Sequence, residues 1–241
     1  MATDRTRTAI LNAAERLYAE RGFSDVTLRD IVGEAGVNLA AVNYHFGSKD
    51  ELIAELYVTR SIATNRIRLA ELKAAEDAGG GRAPIEAVVR ALVGPTLRGC
   101  LGPATENTTI ARFMIRASIE SVPPIRKIRN REISHLRRFA QAMKRSLPDA
   151  ADVDIYWGLH FALAMAHQTI RDSERLNKLS EGACDLGDVE GVIERVVTAA
   201  ALALTAGSPS SYKAPARAAT ARGRPTARDW RHRIPGVGWS G

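Results

Sequence analysis

Apolar residues near the amino terminus recur at the spacing of amphipathic helices. One helical face is formed by five residues at i, i+1, i+4, i+7 and i+8: Ile10, Leu11, Ala14, Leu17 and Tyr18. Gly22 is placed to end this first helix, because glycine readily adopts the left-handed conformation of a C-terminal cap. Thr27 and Asp30 form a capping pair that opens a second helix of two turns, which Gly36 ends.

Two further helices are predicted in the same way. Asn38 is a good N-cap for the segment 39–46 (LAAVNYHF). Ser48 and Glu51 form a capping box that opens a long helix towards Glu71. Because two short helices joined by a glycine-containing turn are typical of the helix-turn-helix motif, a three-helix domain of this type is predicted at residues 1–50.

The rest of the chain continues the helical pattern and has no convincing run of alternating β-branched residues. Residues 77–84 (DAGGGRAP) are predicted to be a flexible break. Beyond it, five more helices are predicted: 84–99, 104–121, 125–147, 152–179 and 188–206. Aromatic residues make up only 5% of the chain, which disfavours an all-β fold. The predicted fold class is therefore all-α, with about nine helices and a second helical domain at residues 51–206.

The formal net charge of +7 suggests an anionic partner, but the charge is unevenly placed. Residues 207–241 hold seven basic residues against one acid, and their Ala, Pro, Gly, Ser and Arg content predicts a disordered basic tail. Residues 1–50 hold six basic residues and seven acids, so any DNA binding there must depend on placed side chains. The tail motif RGRP at 222–225 resembles a minor-groove AT-hook; nonspecific attraction to phosphate is the alternative.

The segment 39–46 carries side chains suited to a recognition helix. A helical wheel predicts a core side made of Asn38, Leu39, Val42, His45 and Phe46. Ala40 and Ala41 are small enough for close approach to a major groove about 12 Å wide. Asn43 can pair with the N6/N7 edge of adenine, Tyr44 can donate to a phosphate, and Lys49 adds charge at a helix start. The alternative is a surface helix whose polar face is only solvated.

Twelve residues occur here in a specific combined spacing: Gly22, Phe23, Thr27, Ile31, Ala35, Gly36, Val37, Val42, His45, Phe46, Lys49 and Leu52. Over about residues 6–56, this combination resembles the DNA-binding domain of the tetracycline-repressor (TetR) family. The resemblance implies that Thr27 and Lys49 touch the phosphate backbone, that residues 39–44 read the groove and that Phe46 is core. Many members have tyrosine where this chain has Asn43, which favours a base contact by Asn43. The predicted DNA-contacting set is Thr27, Arg29, Leu39, Ala40, Ala41, Asn43, Tyr44 and Lys49.

The segments 43–49 (NYHFGSK) and 157–168 (WGLHFALAMAHQ) are similar to those of a branch of the family that includes fatty-acid-responsive repressors. The resemblance implies a ligand pocket and a homodimeric four-helix bundle in the C-terminal helices, and we place dimerisation at 152–206. The last helix agrees with a packing role through Val189, Val192, Ile193, Val196, Val197, Ala200, Ala203 and Leu204. An intramolecular core is the alternative account of part of that face.

Eight residues are candidates for the ligand pocket: Arg112, Phe113, Arg116, Trp157, His160, Phe161, Met165 and His167. An arginine near a pocket can pair with an acidic ligand, although solvated surface arginine is the alternative. The two histidines are seven residues apart on one predicted helix, and core or interface histidines are the alternative to pocket lining. We predict no metal site, because no third ligand has a helpful spacing and the two cysteines fit no zinc pattern.

These features together predict a transcriptional regulator, a ligand-responsive repressor that binds palindromic operator DNA as a homodimer, with an apolar or acyl small molecule as one candidate effector class. No cofactor and no enzymatic activity are predicted, since the chain has no phosphate-cradling glycine loop or nucleophile elbow. With no secretory signal and no apolar run of about 18 to 20 residues, a cytoplasmic protein without a membrane partner is expected. The alternative function is a helical small-molecule-binding or scaffold protein that does not bind an operator.

Overall fold

The computed structural model describes residues 2–103, 106–120 and 122–206, and within these ranges the chain folds into α-helices with no strands. None of these helices is both long and apolar enough to cross a membrane. The basic tail at 207–241, with its RGRP motif, lies outside the described residues. The helices are α1 (Ala2–Arg21), α2 (Leu28–Ala35), α3 (Leu39–Phe46), α4 (Lys49–Ala78), α5 (Ile85–Leu101), α6 (Glu106–Ile119), α7 (Pro123–Arg131), α8 (Ser134–Ser146), α9 (Asp152–Arg171), α10 (Ser173–Leu179) and α11 (Val189–Thr205).

The predicted capping residues of α2, α3 and α4 are confirmed, and Gly22, predicted to end α1, directly follows that helix with φ +88°. Thr27 and Asp30 form a reciprocal capping box at the start of α2, and Gly36 ends that helix in the left-handed conformation with φ +65°. The Asn38 side chain accepts a hydrogen bond of 2.9 Å from the Ala41 amide at the start of α3. Ser48 caps α4 in the same way. These local interactions fix the residues at which α2, α3 and α4 begin.

The described ranges contain eleven helices, so the prediction of about nine is wrong. Each of two predicted long helices is broken once, at 132–133 between α7 and α8 and at Asp172 between α9 and α10. Before the first break, Lys127 and Arg131 are like charges four residues apart, which disfavours further helix. At the second, the Asp172 carboxylate accepts hydrogen bonds from Gln168 and Arg171 and lies at the negative end of α9.

Two hydrophobic clusters organise the packing. The first buries residues of α1 to α3 together with Leu52, Ile53 and Leu56 of α4 and the α6 side chain of Phe113. The second is built from α5, α8, α9 and α11, with Leu72 of α4. The 30-residue helix α4 therefore runs from one cluster to the other, and the predicted boundary between residues 50 and 51 falls near its beginning.

The apolar face predicted on α11 is used within the chain. Its residues Val192, Ile193, Val196, Val197, Ala200 and Leu204 are all buried in the second cluster. The intramolecular alternative is therefore right for most of this face. The large apolar side chains that are exposed on α9 and α11 are different residues: Val153, Tyr156, Trp157, Phe161 and Leu202.

Gly158 packs against Leu204 where α9 contacts α11. A Cβ atom at this position would overlap Leu204 Cδ2 and come 2.5 Å from Leu204 Cγ. Because Leu204 is buried and cannot swing into solvent, we expect Gly158→Ala to lower the free energy of unfolding by about 1–3 kcal/mol. Urea denaturation followed by circular dichroism measures this change.

Gly33 provides the matched control for this substitution. It lies on the exposed side of α2, and nothing is within 4 Å of the Cβ position. Gly33→Ala should raise the free energy of unfolding by about 0.5–1 kcal/mol, since alanine favours helix more than glycine does. Equal effects of the two substitutions would contradict the close α9–α11 packing.

Candidate nucleic-acid interface and core cavity

The outer face of α3 is solvent-exposed. Ala40, Asn43 and Tyr44 are exposed, Tyr44 to 79%, and Ala41 is half-buried. Val42 and Phe46 are buried, as the wheel predicts, and hold the helix against α1 and α4. The helix thus presents small residues flanked by an amide and a phenol, a surface that can enter a major groove.

The wheel prediction is wrong for two residues at the start of α3. Asn38 and Leu39 are exposed rather than on the core side, Leu39 to 44%. The capping hydrogen bond from the Ala41 amide holds the Asn38 side chain at the helix end, outside the wheel geometry. Leu39 is therefore available to a partner, in agreement with its place in the predicted DNA-contacting set.

Thr27 and Arg29 lie at the start of α2, and both are exposed. The Thr27 hydroxyl donates to Asp30 Oδ2 at 2.5 Å and accepts from the Asp30 amide at 3.2 Å. Hydrogen bonds from the Thr27 hydroxyl and amide hold the pKa of Asp30 below its usual value. The hydroxyl is thus engaged in the capping box, and its phosphate contact stays a prediction.

Lys49 has a structural role that the sequence did not indicate. Its Nζ donates to the carbonyl oxygens of Phe23, at 3.3 Å, and Val26, in the connection between α1 and α2. The ammonium also lies 5.9 Å from the centre of the Tyr18 ring. Lys49 therefore ties the start of α4 to the α1–α2 connection, while its predicted phosphate contact stays a prediction.

Phe113 and Arg116, predicted to line the ligand pocket, lie instead where α6 packs against α1. Phe113 is fully buried in the first cluster, and its ring centre is 5.6 Å from that of Phe23. Phe113 is therefore a residue of the hydrophobic core, packed beside the end of α1. Arg112, on the same helix, is exposed.

Arg116 joins α6 to the C-terminal end of α1. Its Nε donates to the Ala19 carbonyl at 2.9 Å, and its Nη2 donates to the Glu20 carbonyl at 3.1 Å. Glu120, one turn later, pairs with Arg116 at 3.3 Å and accepts from the Phe23 amide at 2.8 Å. We call this set of contacts the α1–α6 joint. A guanidinium at a helix C-terminus satisfies carbonyls that lack helical partners, which explains why Arg116 is drawn away from a pocket.

Three of the predicted pocket residues, Trp157, His160 and Phe161, are exposed on the outside of α9. The Trp157 and Phe161 rings stack on each other with centres 5.4 Å apart. Met165 lines a groove between α9, α10 and α11. Of the eight candidates, His167 lines the cavity described next.

Three adjoining cavities of about 350, 740 and 420 Å³, each partly open to solvent, lie between α4 and its neighbours, and we call them together the core cavity. The second and third share Tyr57, Arg68, Met114, Arg129, Glu132 and His135. The first joins the third at Thr64, Thr96 and Met114. The walls come from α4, α5, α6, α7, α8 and α9, and the space is large enough for a small organic molecule.

Arg68 lines the second and third parts of the core cavity. Its Nη2 donates to Thr96 Oγ1 at 2.7 Å, and its buried Nε has no hydrogen-bond partner. Burial, followed by the nearby Arg68 charge, lowers the pKa of His135 to about 4. Burial and the charges of Arg68 and Arg129 lower the pKa of His167 to about 4 as well. Both histidines are neutral at neutral pH, so each can donate or accept a hydrogen bond.

Comparison with known families decides what kind of protein carries these features. A model described as bacterial regulatory proteins, tetR family, matches residues 10–56. A second model, described as a tetracyclin repressor-like C-terminal domain, matches residues 90–202. The chain belongs to the TetR family. The narrower resemblance to fatty-acid-responsive members stays a prediction.

Curated relatives of this TetR-family chain include transcriptional regulators. An uncharacterized HTH-type transcriptional regulator of Haemophilus influenzae is 26% identical over 133 residues, which are 55% of this chain and 60% of that protein. The HTH-type transcriptional regulator TtgR of Pseudomonas putida is 45% identical over 51 residues, 21% of this chain and 24% of that protein. The chain thus spans less than two thirds of the length of either relative.

A solved structure shares the fold. A TetR family transcription regulator from Marinobacter aquaeolei VT8 superimposes with a TM-score of 0.57 at 18% identity, covering 83% of this chain and 95% of that one. The TetR-like helical fold therefore extends well beyond the helix-turn-helix. Arg68 and Tyr57 lie between the two matched ranges 10–56 and 90–202, so the family models give no guide to their role.

Proposed function

We propose that this protein is a DNA-binding transcriptional regulator that acts as a homodimer and responds to a small-molecule effector. The observation that carries the proposal is the exposed face of α3, where Ala40, Asn43 and Tyr44 project from a helix fixed by buried Val42 and Phe46. Membership of a family of bacterial regulatory proteins supports it. In this scheme residues 1–50 bind DNA and residues 51–206 bind the effector and form the dimer.

Specificity would come from few side chains. Asn43 can make two hydrogen bonds to adenine in the major groove, while Tyr44 and the exposed Arg29 can reach phosphates on either side. Because residues 1–50 are slightly acidic, nonspecific attraction by this segment is weak and the placed contacts decide the site. Two copies would read half-sites about one helical turn apart.

Dimerisation is assigned to the exposed apolar stripe on α9 and α11. Val153, Tyr156, Trp157 and Phe161 recur at helical spacing on α9, and Leu202 is exposed on α11. Apolar patches of this kind on a folded domain mark interaction sites. A symmetric pairing of α9 and α11 with their counterparts would bury the stripe in a four-helix bundle.

The core cavity is the proposed effector site, and two helices, α4 and α6, connect it to the DNA-binding helices. Helix α4 lines the cavity and begins next to α3, and α6 lines the cavity and forms the α1–α6 joint. An effector that prefers one arrangement of α4 and α6 would shift the population of DNA-binding conformations. Repression relieved by the effector is the form of regulation we propose.

Substitution of Asn43 tests the DNA-binding proposal. We expect Asn43→Ala to weaken binding to a fragment of the upstream DNA of its own gene by about 1–3 kcal/mol for each half-site, and to relax the preference at one base pair. Gel retardation and footprinting on a set of point-mutated fragments measure both effects. Tyr44→Phe should weaken binding to all fragments alike, because a phosphate contact carries no base information.

Asn177→Ala is the matched control, since Asn177 is an exposed asparagine on α10, far from α3 in sequence. It should leave DNA affinity unchanged. If the unmodified protein retards no upstream fragment, the alternative of a helical small-molecule-binding or scaffold protein is favoured. Equal losses for Asn43→Ala and Asn177→Ala would contradict the docking of α3.

A further inference from the structure

Arg68 occupies a position where a charge is poorly compensated. It lies on the inward side of α4, four residues before the buried Leu72. Its side chain makes one hydrogen bond, from Nη2 to the neutral Thr96 hydroxyl, and its buried Nε makes none. A guanidinium with unsatisfied donors away from water destabilises the folded chain unless an anion joins it.

No carboxylate among the described residues lies within ion-pair distance of Arg68. The nearest acids along α4 are already paired, Glu71 with Arg98 at 3.2 Å and Glu76 with Arg138 and Arg145. Glu132 also lines the cavity, but it is an exposed residue. The charge of Arg68 is therefore left without a counter-ion inside the protein.

The groups around Arg68 add further hydrogen-bond donors and positive charge. His135 and His167 are neutral and can donate hydrogen bonds, and Tyr57 supplies a hydroxyl. Arg129 adds a second cation at the same cavity, where it donates to the Ser118 carbonyl at 2.9 Å. Donors and positive charge therefore converge on one end of the core cavity, an arrangement that favours an oxyanion.

The remaining walls of the core cavity are largely apolar. Next to Thr96 the first cavity is lined by Ile67, Ile110, Ala111 and Met114. Met114 lines all three parts, so the apolar wall is continuous with the polar end at Arg68. A ligand that fills the space must combine a charged head with a hydrocarbon body.

We infer that the core cavity binds an amphipathic oxyanion, a carboxylate or phosphate monoester on an apolar chain, with its head group paired to the Arg68 guanidinium. The inference rests on the proposed role of the cavity as the effector site and names the class of effector. Arg68 can form two parallel hydrogen bonds to either head group, and Met114 and Ile110 contact the chain. The role predicted for Arg112 or Arg116 is thereby assigned to Arg68.

Calorimetric titration of the full chain without DNA tests this inference. Four probes share a ten-carbon chain: decanoate, decyl phosphate, decanol and decylamine. We expect at least one of the two anions to bind about ten-fold or more tightly than the alcohol and the amine, and the better anion identifies the head group. Arg68→Met should abolish that ten-fold preference, whereas Arg137→Met, which removes an exposed arginine of α8 that does not line the core cavity, should retain it.

Two further measurements distinguish a loss of the anion contact from misfolding of the variant. The thermal midpoint of ligand-free Arg68→Met should equal or exceed that of the parent, because a poorly compensated buried charge is removed. Arg68→Lys keeps the charge without the two-pronged geometry and should bind the anion with intermediate affinity. Equal binding of decanol and the anions, unchanged anion binding by Arg68→Met, or binding of neither anion to the parent would overturn the inference. Since no DNA is present, failure here is separate from failure of operator binding.

Discussion

Trp157→Glu is expected to disrupt the proposed homodimer and leave the protein monomeric. Trp157 is 54% exposed at the middle of the α9 stripe and stacks on Phe161. In a symmetric dimer the residue is present twice, so two carboxylates would have to lose their water at one interface. With about 2–4 kcal/mol lost at each copy of a central aromatic residue, the dimer dissociation constant should rise by about three orders of magnitude or more.

Sedimentation velocity over a range of protein concentrations measures this change directly. Operator affinity should fall with it, because a monomer presents one recognition helix instead of two. Ile62→Glu is the matched control: Ile62 is a similarly exposed apolar residue, 65%, on α4. That variant should remain dimeric. A dimeric Trp157→Glu protein would show that another surface joins the subunits.

Arg116→Met is expected to lower the free energy of unfolding by about 2–3 kcal/mol. It removes two charge-assisted hydrogen bonds to the Ala19 and Glu20 carbonyls and the ion pair with Glu120. Each such bond to a charged group contributes about 1.5–3 kcal/mol, and the partial exposure of the side chain reduces the total. The loss should concentrate at the end of α1, where hydrogen exchange of the backbone amides becomes faster.

Arg112→Met serves as the comparison, because Arg112 is an exposed arginine one turn earlier on the same helix. Its effect on unfolding should stay within about 0.5 kcal/mol. Chemical denaturation measures both values, and exchange followed by mass spectrometry locates the change. Equal stability of the two arginine variants, or unaltered exchange at α1 in Arg116→Met, would show that the α1–α6 joint does not make the predicted contribution to the free energy of unfolding.

The amino-terminal helices could be predicted because their boundaries depend on neighbouring residues. Each cap, such as Thr27 with Asp30 or Ser48 with Glu51, is a contact three residues apart that a sequence displays directly. The breaks near Glu132 and at Asp172 escaped prediction because amphipathic spacing continues across them. A local charge or hydrogen-bond preference decides those positions, and periodicity does not record it.

The sequence could not predict which helix faces pack against each other, and this packing determines the cavity and the proposed dimer surface. An apolar face on α11 is compatible with burial inside the chain or between chains, and only the packing of α5 and α9 decides between them. Phe113 and Arg116 were predicted to line a pocket because of the helix they lie on. The side of that helix that carries them packs against α1 instead. Arg68 carried one available signal: it occurs on the inward stripe of α4 in line with Leu72, where an apolar residue is usual.

The length of α4 has a mechanical consequence. Arg68 lies nineteen positions after Lys49, a distance of about 28 Å along a helix. A tilt of about 5° pivoted at Arg68 would therefore displace the start of α4 by about 2.5 Å, and the hydrogen bonds from Lys49 to Phe23 and Val26 would carry the α1–α2 connection with it. In the proposed scheme, a small tilt of α4 at the core cavity would thus become a larger displacement beside the recognition helix α3.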